Sequence, residues 1–200
     1  MSEAAARSRA DTAIVLLAGG RATRFPGKLE QPVGGVPMVA RVFRTLRSTP
    51  WPVYVAANGS FSPEVEALLD APMLLDDTPG RGPLGAMLSA CSTIQAPRLF
   101  AIAADQPRLE AGVLHRLAEA WQPGDEAIVP EHEGRIEPLA ALYARTALLG
   151  EGSRLLDAGE GAMHRLIERV AVRFVPMPAH YFHNVNTVAD LSGEASWDES

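Results

Sequence analysis

A short basic segment that follows an apolar run carries the side chains best suited to phosphate chemistry. The run spans residues 13–17 and leads into two glycines, Gly19 and Gly20, where the backbone can turn sharply and approach a ligand without a side chain in the way. No acidic residue occurs between Gly19 and Lys28. The segment carries three cations: Arg21, Arg24 and Lys28. Backbone N–H groups beside these cations would suit a polyphosphate.

The segment matches neither of two common phosphate-binding motifs. A Walker A loop needs a glycine where the chain has Ala22, and a Ser or Thr where it has Leu29 after Lys28. The G-x-G-x-x-G fingerprint fails as well, because Ala22 and Arg24 stand where its later glycines would be. An ordinary strand-to-helix loop with solvated arginines is the alternative. We favour a nucleotide site, since glycines and cations coincide at the strand end where open α/β sheets bind ligands.

Two aspartates follow other predicted strands: Asp77 comes after the third and Asp105 after the fourth. Parallel strands end at the same edge of a sheet, so we expect both carboxylates to lie near Gly19. Carboxylate oxygens are ligands that Mg²⁺ prefers, and a carboxylate straight after a buried strand needs a cation partner. The sequence therefore predicts a magnesium nucleotide site with Asp105 as the metal ligand. The alternative is that Asp105, and one of Asp76 and Asp77, only form turns or caps.

Apolar patterning predicts alternating strands and helices over the first two thirds of the chain. The predicted strands are 13–17, 53–57, 73–75, 99–103 and 127–129, and the predicted helices are 38–46, a short one from 62, 84–94 and 109–121. Later segments predict strands at 138–143 and 170–175 and helical pieces at 145–157, 161–169 and 187–191. Such alternation implies crossover connections. The predicted fold is α/β, with three layers and a mostly parallel sheet flanked by helices.

The predicted organisation is one domain over residues 13–192, between flexible tails at 1–12 and 193–200. The net charge of −6 argues against a large nucleic-acid surface, and no apolar run is long enough to span a bilayer. The first residues lack the hydrophobic core of a secretory signal. The single cysteine, Cys91, allows no intrachain disulfide, which fits a reducing, cytoplasmic setting, and we interpret it as a small buried side chain.

The histidines do not predict a metal centre. His180 and His183 are too few for zinc and have no cysteine partner. We interpret His115, His132 and His164 as surface residues of helices or loops.

Four segments, in order, resemble the nucleotidyltransferases with a glycosyltransferase-A-like, nucleotide-diphospho-sugar transferase-like fold, and most of all the molybdenum cofactor guanylyltransferases. They are LLAGGRATRFPGKLEQPVGGVPM at 16–38, Gly82-Pro83-Leu84, FAIAADQP at 100–107 and FHNVNT at 182–187. The loop before Lys28 is slightly shorter than in typical guanylyltransferases, and the last glycine of the family's Gly-Pro-Leu-x-Gly is displaced or replaced by Ala86. Two further positions depart from the family pattern. Ala56 stands for the first asparagine of an Asn-Ala-Asn that ends in Asn58, and Glu137 stands for the histidine of a His-Pro-Leu.

The resemblance implies Mg²⁺-dependent transfer of GMP from GTP to a molybdopterin-type acceptor, with release of pyrophosphate. It implies that Asp105 binds the metal, that Lys28 and Arg24 stabilise the phosphates, and that Asn184 and Asn186 face the active site, near the acceptor or the metal. Nucleotide contacts are implied for Leu17, Ala18, Gly19, Gly20, Lys28, Asn58, Asp77, Gly82, Pro83 and Asp105. For Asn186 and Thr187, helix capping is an additional role, since Thr187 and Asp190 have the spacing of a capping box.

Three alternative functions stay open at this point. The chain could be a cytidylyltransferase on the same pterin, a sugar-phosphate nucleotidyltransferase, or a nucleotide-binding module without catalysis, because Ala56 and Glu137 depart from the pattern. Molybdoenzymes or other cofactor-biosynthesis proteins are the protein partners that the resemblance suggests. The sequence leaves the base, the acceptor and the oligomeric state undetermined.

Overall fold

The computed structural model describes residues 11–19, 27–75, 80–187 and 190–191. The strands are β1 Thr12–Leu17, β2 Pro32–Val33, β3 Val36–Pro37, β4 Val53–Ala57, β5 Met73–Leu75, β6 Arg98–Ala103, β7 Ala127–His132, β8 Arg135–Ile136, β9 Ala140–Ala144 and β10 Val172–Pro176. The α-helices are α1 Met38–Arg47, α2 Pro63–Glu66, α3 Gly82–Thr93, α4 Ala111–Glu119, α5 Arg145–Ala147, α6 Ser153–Asp157 and α7 Met163–Ile167. In the part of the chain described, no helix has the length and apolar character needed to cross a membrane.

These elements confirm the predicted order of strands and helices, with shifts at their ends. The predicted helix at 145–157 is continuous, with a π-helical turn, Leu148–Gly152, joining α5 to α6. The predicted helix at 109–121 is shorter, because Glu110 is extended (φ −109°, ψ 150°) and caps a helix that starts at Ala111. Thr12, assigned to the N-terminal tail, is the buried first residue of β1. Residues 1–10 and 192–200 lie outside the described residues.

The main sheet has the order β10–β7–β9–β6–β1–β4–β5, with β8 paired to β7. Strands β6, β1, β4 and β5 run parallel to one another, and β10 runs parallel to β7. Strand β9 is antiparallel to both β6 and β7. It therefore begins at the edge of the sheet where β6 ends.

Helices cover both faces of this sheet, as predicted. On β1, Ile14 and Leu16 belong to one buried cluster with residues of α1 and α4, while Ala13, Val15 and Leu17 belong to a second cluster with residues of α3 and α7. Alternate residues of one strand thus point into opposite layers, which is why β1 reads as an unbroken apolar run.

The parallel strands end together. Leu17 of β1 is in register with Ala56 of β4 and with Ala103 of β6. The residues that follow these strands, Gly19, Asn58 and Asp105, therefore emerge at one edge of the sheet, where ligands bind in open α/β folds.

Cys91 provides a test of the packing beneath α3. Its side chain is fully buried in the second cluster, and burial raises the pKa of the thiol to about 11. At pH 8 we expect the folded protein to resist an aromatic disulfide reagent, since only the thiolate form of Cys91 is reactive. The denatured chain should react fully and release one equivalent of the reagent's aromatic thiolate, because Cys91 is the single cysteine. Rapid stoichiometric labelling of the folded protein would contradict this packing.

Candidate active site

An ion pair between Lys28 and Asp105 lies where β6 ends. Lys28 Nζ donates to Asp105 Oδ2 at 2.7 Å and to Asn186 Oδ1 at 3.1 Å. The two charged side chains are 14% and 23% exposed, so the pair is partly shielded from water but open to a ligand. Three side chains predicted to act on the substrates are therefore in direct contact, although they are far apart in the sequence.

A tight turn delivers Lys28 to this position. Gly27 has φ 69°, a left-handed conformation that favours glycine, and Lys28 begins the 3₁₀ turn that follows it. Glu30, in the same turn, accepts a hydrogen bond of 3.2 Å from the backbone N–H of Ser62. The lysine is thus held on a turn that is itself anchored to the loop before α2.

The backbone of Asp105 is held from two directions. Ala104, just before it, donates its N–H to Leu17 O at 3.1 Å, and Val185 donates its N–H to Asp105 O at 2.9 Å. Val185 is fully buried, so the C-terminal segment is fixed at this point. Its exposed neighbours are therefore held near the aspartate: Asn186 contacts Lys28, and Asn184 lines the same cavity as Asp105.

The predicted capping box is present after Asn186. Asp190 Oδ2 accepts hydrogen bonds of 2.8 Å from the N–H groups of Asn186 and Thr187, and Asp190 N donates to Thr187 Oγ1 at 3.3 Å. The backbone hydrogen bond from Asn186, followed by that from Thr187, lowers the pKa of Asp190. Helix capping and placement of Asn186 at the ion pair are thus performed by the same residues.

The predicted glycine loop lies next to Asn58. A Cβ on Gly19 would come within 3.1 Å of Asn58 Cγ, so the glycine allows the two loops to approach. The carbonyl of Leu17 accepts the N–H of Ala104 at 3.1 Å, and the N–H of Ala18 donates to the carbonyl of Ala56 at 2.8 Å. Contacts of these two residues with a nucleotide would therefore use their other backbone groups. Three further predicted residues, Gly20, Arg24 and Asp77, lie outside the described residues.

The predicted loop at Gly82-Pro83 packs against a turn that the sequence analysis did not identify. Gly82 opens α3 with φ 73°, and a Cβ there would lie 2.5 Å from Gly161 O. The same carbonyl accepts the N–H of Leu84 at 3.0 Å, and Arg81 donates to Leu156 O. The two glycines at 159 and 161 were the available signal for this close contact.

A cavity of about 260 Å³ lies beside Asp105, on the side away from β1, between the end of β6 and the start of β9. Glu137 is part of its wall, at the position where the family pattern has histidine. His132 Nε2 donates to Glu137 Oε1 at 2.8 Å, and the histidine side chain is only 8% exposed, so its interpretation as a surface residue was wrong. The lining residues are Ala103, Asp105, Gln106, Glu137, Pro138, Leu139, His164 and Asn184.

The site therefore has two halves separated by the Lys28–Asp105 pair. Gly19 and Asn58 follow β1 and β4 on one side, and the cavity lies towards β9 on the other. Such an arrangement can hold two ligands with a fixed positive and a fixed negative charge between them. Together with the α/β fold, in which ligands bind at this edge of the sheet, it is the arrangement expected of a nucleotide-dependent transferase.

The comparisons with known proteins specify the family. Residues 14–174 match the MobA-like NTP transferase domain, and the chain belongs to this nucleotidyltransferase family. The molybdenum cofactor guanylyltransferase of Cupriavidus metallidurans is 30% identical over 92% of this chain and 94% of its own length. A protein of Mycobacterium bovis named probable molybdenum cofactor guanylyltransferase is 34% identical over 88% of this chain and 90% of its own length.

Solved structures share the fold. Molybdopterin-guanine dinucleotide biosynthesis protein A from Archaeoglobus fulgidus has a TM-score of 0.75, with 23% identity over 92% of this chain and 96% of that one. Rv0371c of Mycobacterium tuberculosis, solved with manganese, has a TM-score of 0.72, with 20% identity over 94% and 99%. A 2-C-methyl-D-erythritol 4-phosphate cytidylyltransferase from Thermus thermophilus has a TM-score of 0.71, with 18% identity over 93% and 98%.

The contact between Gly82 and Gly161 can be tested by stability. A Cβ on Gly161 would lie 1.9 Å from Arg81 O, whereas a Cβ on Gly150 would meet nothing within 4 Å. We expect Gly161→Ala to lower the free energy of unfolding by about 1–3 kcal/mol through overpacking. Gly150→Ala, the matched control, should be neutral or slightly stabilising. Denaturant unfolding of the two variants measures the difference, and equal stabilities would contradict the contact.

Proposed function

We propose that this protein transfers GMP from GTP to the phosphate of a molybdopterin-type acceptor, forming the guanine dinucleotide and pyrophosphate. The observation that carries the proposal is the Lys28–Asp105 ion pair, 2.7 Å long, between two half-sites at one edge of the sheet. The names of the relatives, at 30–34% identity over most of both chains, support guanylyl transfer as the activity and the molybdenum cofactor as the acceptor.

The two substrates are assigned to the two halves of the site. GTP would bind along Gly19 and Asn58 and reach towards the loop at Gly82, where backbone groups lie close together without intervening side chains. The acceptor would occupy the cavity beyond Asp105, with Asn184 at its border. The acceptor phosphate then meets the α-phosphate of GTP beside the ion pair.

The reaction needs positioning and charge neutralisation more than covalent help from the protein. An oxygen of the acceptor phosphate attacks the α-phosphorus of GTP, a new P–O bond forms, and the bond between the α-phosphorus and the β-phosphate oxygen breaks. Lys28, an ammonium already held by Asp105 and Asn186, stabilises the negative charge on the phosphates. Arg24 is assigned the same role from the basic segment, and Asp77 is assigned to nucleotide binding.

The chemistry of the site fits a divalent cation, which we propose to be Mg²⁺. The lysine contact uses Asp105 Oδ2, which leaves Oδ1 as a hard oxygen ligand, and the amide oxygen of Asn186 is a second oxygen that contacts the same ammonium. Among the described residues no group of three or more His, Cys, Asp or Glu could hold a metal, so substrate phosphates and water would complete the coordination. The bound metal would neutralise phosphate charge. The manganese complex of the structural neighbour from Mycobacterium tuberculosis supports a divalent cation here.

The choice of base needs its own experiment, because cytidylyltransferases share the fold and Ala56 departs from the family pattern. We expect GTP with Mg²⁺ to raise the melting temperature more than CTP does, since a ligand that binds only the folded state stabilises it in proportion to its occupancy. Pyrophosphate should be released from GTP only when molybdopterin is added. Stronger stabilisation and turnover with CTP would identify the activity as cytidylyl rather than guanylyl transfer. If nucleotides stabilise the protein but pyrophosphate is never released, the protein is a nucleotide-binding module without catalysis.

Asp105→Asn separates the metal role from turn formation. Asparagine forms turns nearly as well as aspartate, and the hydrogen bond from Val185 goes to the backbone carbonyl, so the variant should fold normally. Loss of the carboxylate should nevertheless abolish nearly all turnover and weaken Mn²⁺ binding, followed by electron paramagnetic resonance. Asp70→Asn, at a 94% exposed carboxylate, is the control. Normal turnover and Mn²⁺ affinity in Asp105→Asn would remove the metal role.

Lys28→Ala should lower turnover, measured as pyrophosphate release, by about two orders of magnitude, because the variant lacks the ammonium that stabilises the phosphates.

A further inference from the structure

We infer that Glu137 determines acceptor specificity, by accepting hydrogen bonds from the N–H edge of the acceptor heterocycle. The 2-amino-4-oxopyrimidine ring of a pterin has such an edge, with an amino group beside a ring N–H. The identity of the acceptor rests on the proposed function, whereas the role of Glu137 rests on its own surroundings.

Glu137 is held in one position by its neighbours. A carboxylate can only accept, so His132 must donate from Nε2, and this hydrogen bond is 2.8 Å long. The imidazole stacks on the ring of Phe182, with centroids 5.2 Å apart and planes 11° from parallel. The backbone N–H of Glu137 donates to Pro130 O at 3.0 Å. Both the main chain and the carboxylate are therefore fixed before a ligand arrives.

The same wall of the cavity still has capacity to accept hydrogen bonds. A carboxylate offers about four acceptor positions, and the known contacts of Glu137 come from His132 and, at 3.5 Å, from Gln106 Nε2. Gln106 is 1% exposed, and its Oε1 is buried without a hydrogen-bond partner among the described residues. Buried acceptors are normally paired, so the unpartnered Gln106 Oε1 beside a Glu137 carboxylate with unused acceptor positions indicates a ligand rich in N–H groups.

The charges of the cavity set the orientation of such a ligand. Asp105 is balanced by Lys28, whereas Glu137 is paired with a histidine. An anionic phosphate is attracted to the lysine and repelled by Glu137. The acceptor phosphate therefore belongs at the Lys28 end and the heterocycle at the Glu137 end. Two adjacent N–H groups also match the geometry of a carboxylate, as in the paired hydrogen bonds of arginine with aspartate.

Equilibrium binding of two fluorescent pteridines to the full chain tests this inference without requiring turnover. Pterin has the 2-amino group, and lumazine has a carbonyl oxygen in its place. We expect the native protein to bind pterin about tenfold more tightly than lumazine, which is the order of effect for a hydrogen bond to a charged group. Glu137→Gln, close in shape but without the charge, should bring the two affinities to within about threefold. Glu133→Gln, at an exposed carboxylate in the same hairpin, should keep the full preference.

Equal binding of pterin and lumazine by the native protein would overturn the inference, whether or not the variants fold. An unchanged preference in a folded Glu137→Gln variant would overturn it as well. GTP-induced stabilisation should be the same in the native protein and in Glu137→Gln, because Glu137 lies in the acceptor half of the site. If pyrophosphate is not released with molybdopterin but the pterin preference depends on Glu137, the proposed function fails and the inference about the cavity stands.

Discussion

The need to pair one carboxylate determines how the site is built. Asp105 follows a strand whose residues Leu99 to Ile102 are fully buried, so its charge emerges from an apolar layer and is partly shielded from water. Lys28 supplies the partner from a turn 77 residues earlier, and Asn186 binds the same ammonium from the C-terminal segment. Each contact draws a separate part of the chain to the end of β6. The contacts that pair this charge therefore also bring the residues of the site together.

The division of the site into two halves follows from one change of strand direction. Parallel strands on one side of β6 bring only their following loops to the edge, as at Gly19 and Asn58. On the other side, β9 is antiparallel and begins at this edge, so the residues before it, 137–139, border the cavity. Leu139 O accepts the N–H of Ala103 at 2.8 Å, which holds this wall against β6. A fully parallel sheet would have placed a following loop there instead.

The sequence predicted the parts of the site that depend on local pattern. Apolar runs located β1 and β6, and the residues after them, Gly19 and Asp105, followed directly. The spacing of Thr187 and Asp190 predicted a capping box that the structure contains. What could not be predicted depends on contacts between segments distant in sequence. The contact of Gly82 with Gly161 joins α3 to the turn before α7, and composition alone does not reveal such a pair.

The error at His132 has a different cause, since its partner is only five residues away. Glu133 and Gly134 both have positive φ, 48° and 74°, as in the tight turns of two-residue hairpins, and this hairpin folds Glu137 back onto His132. A polar residue next to a turn would normally be exposed. Here the imidazole is held inside the protein by stacking on Phe182 and by the hydrogen bond from Nε2 to Glu137, while Nδ1 is buried without a hydrogen-bond partner among the described residues.

The ion pair and the Glu137 wall are thus supported by different elements. Lys28 and Asp105 depend on the turn at Gly27 and on Val185, whereas Glu137 depends on the β7–β8 hairpin. A chain with this fold can therefore change the wall proposed to meet the acceptor heterocycle while leaving in place the ion pair that we assign to the phosphates. The glutamate in a position where the family pattern has histidine is such a change. It turns a side chain able to donate hydrogen bonds into one that only accepts them, without altering the lysine and aspartate to which we assign the proposed phosphate transfer.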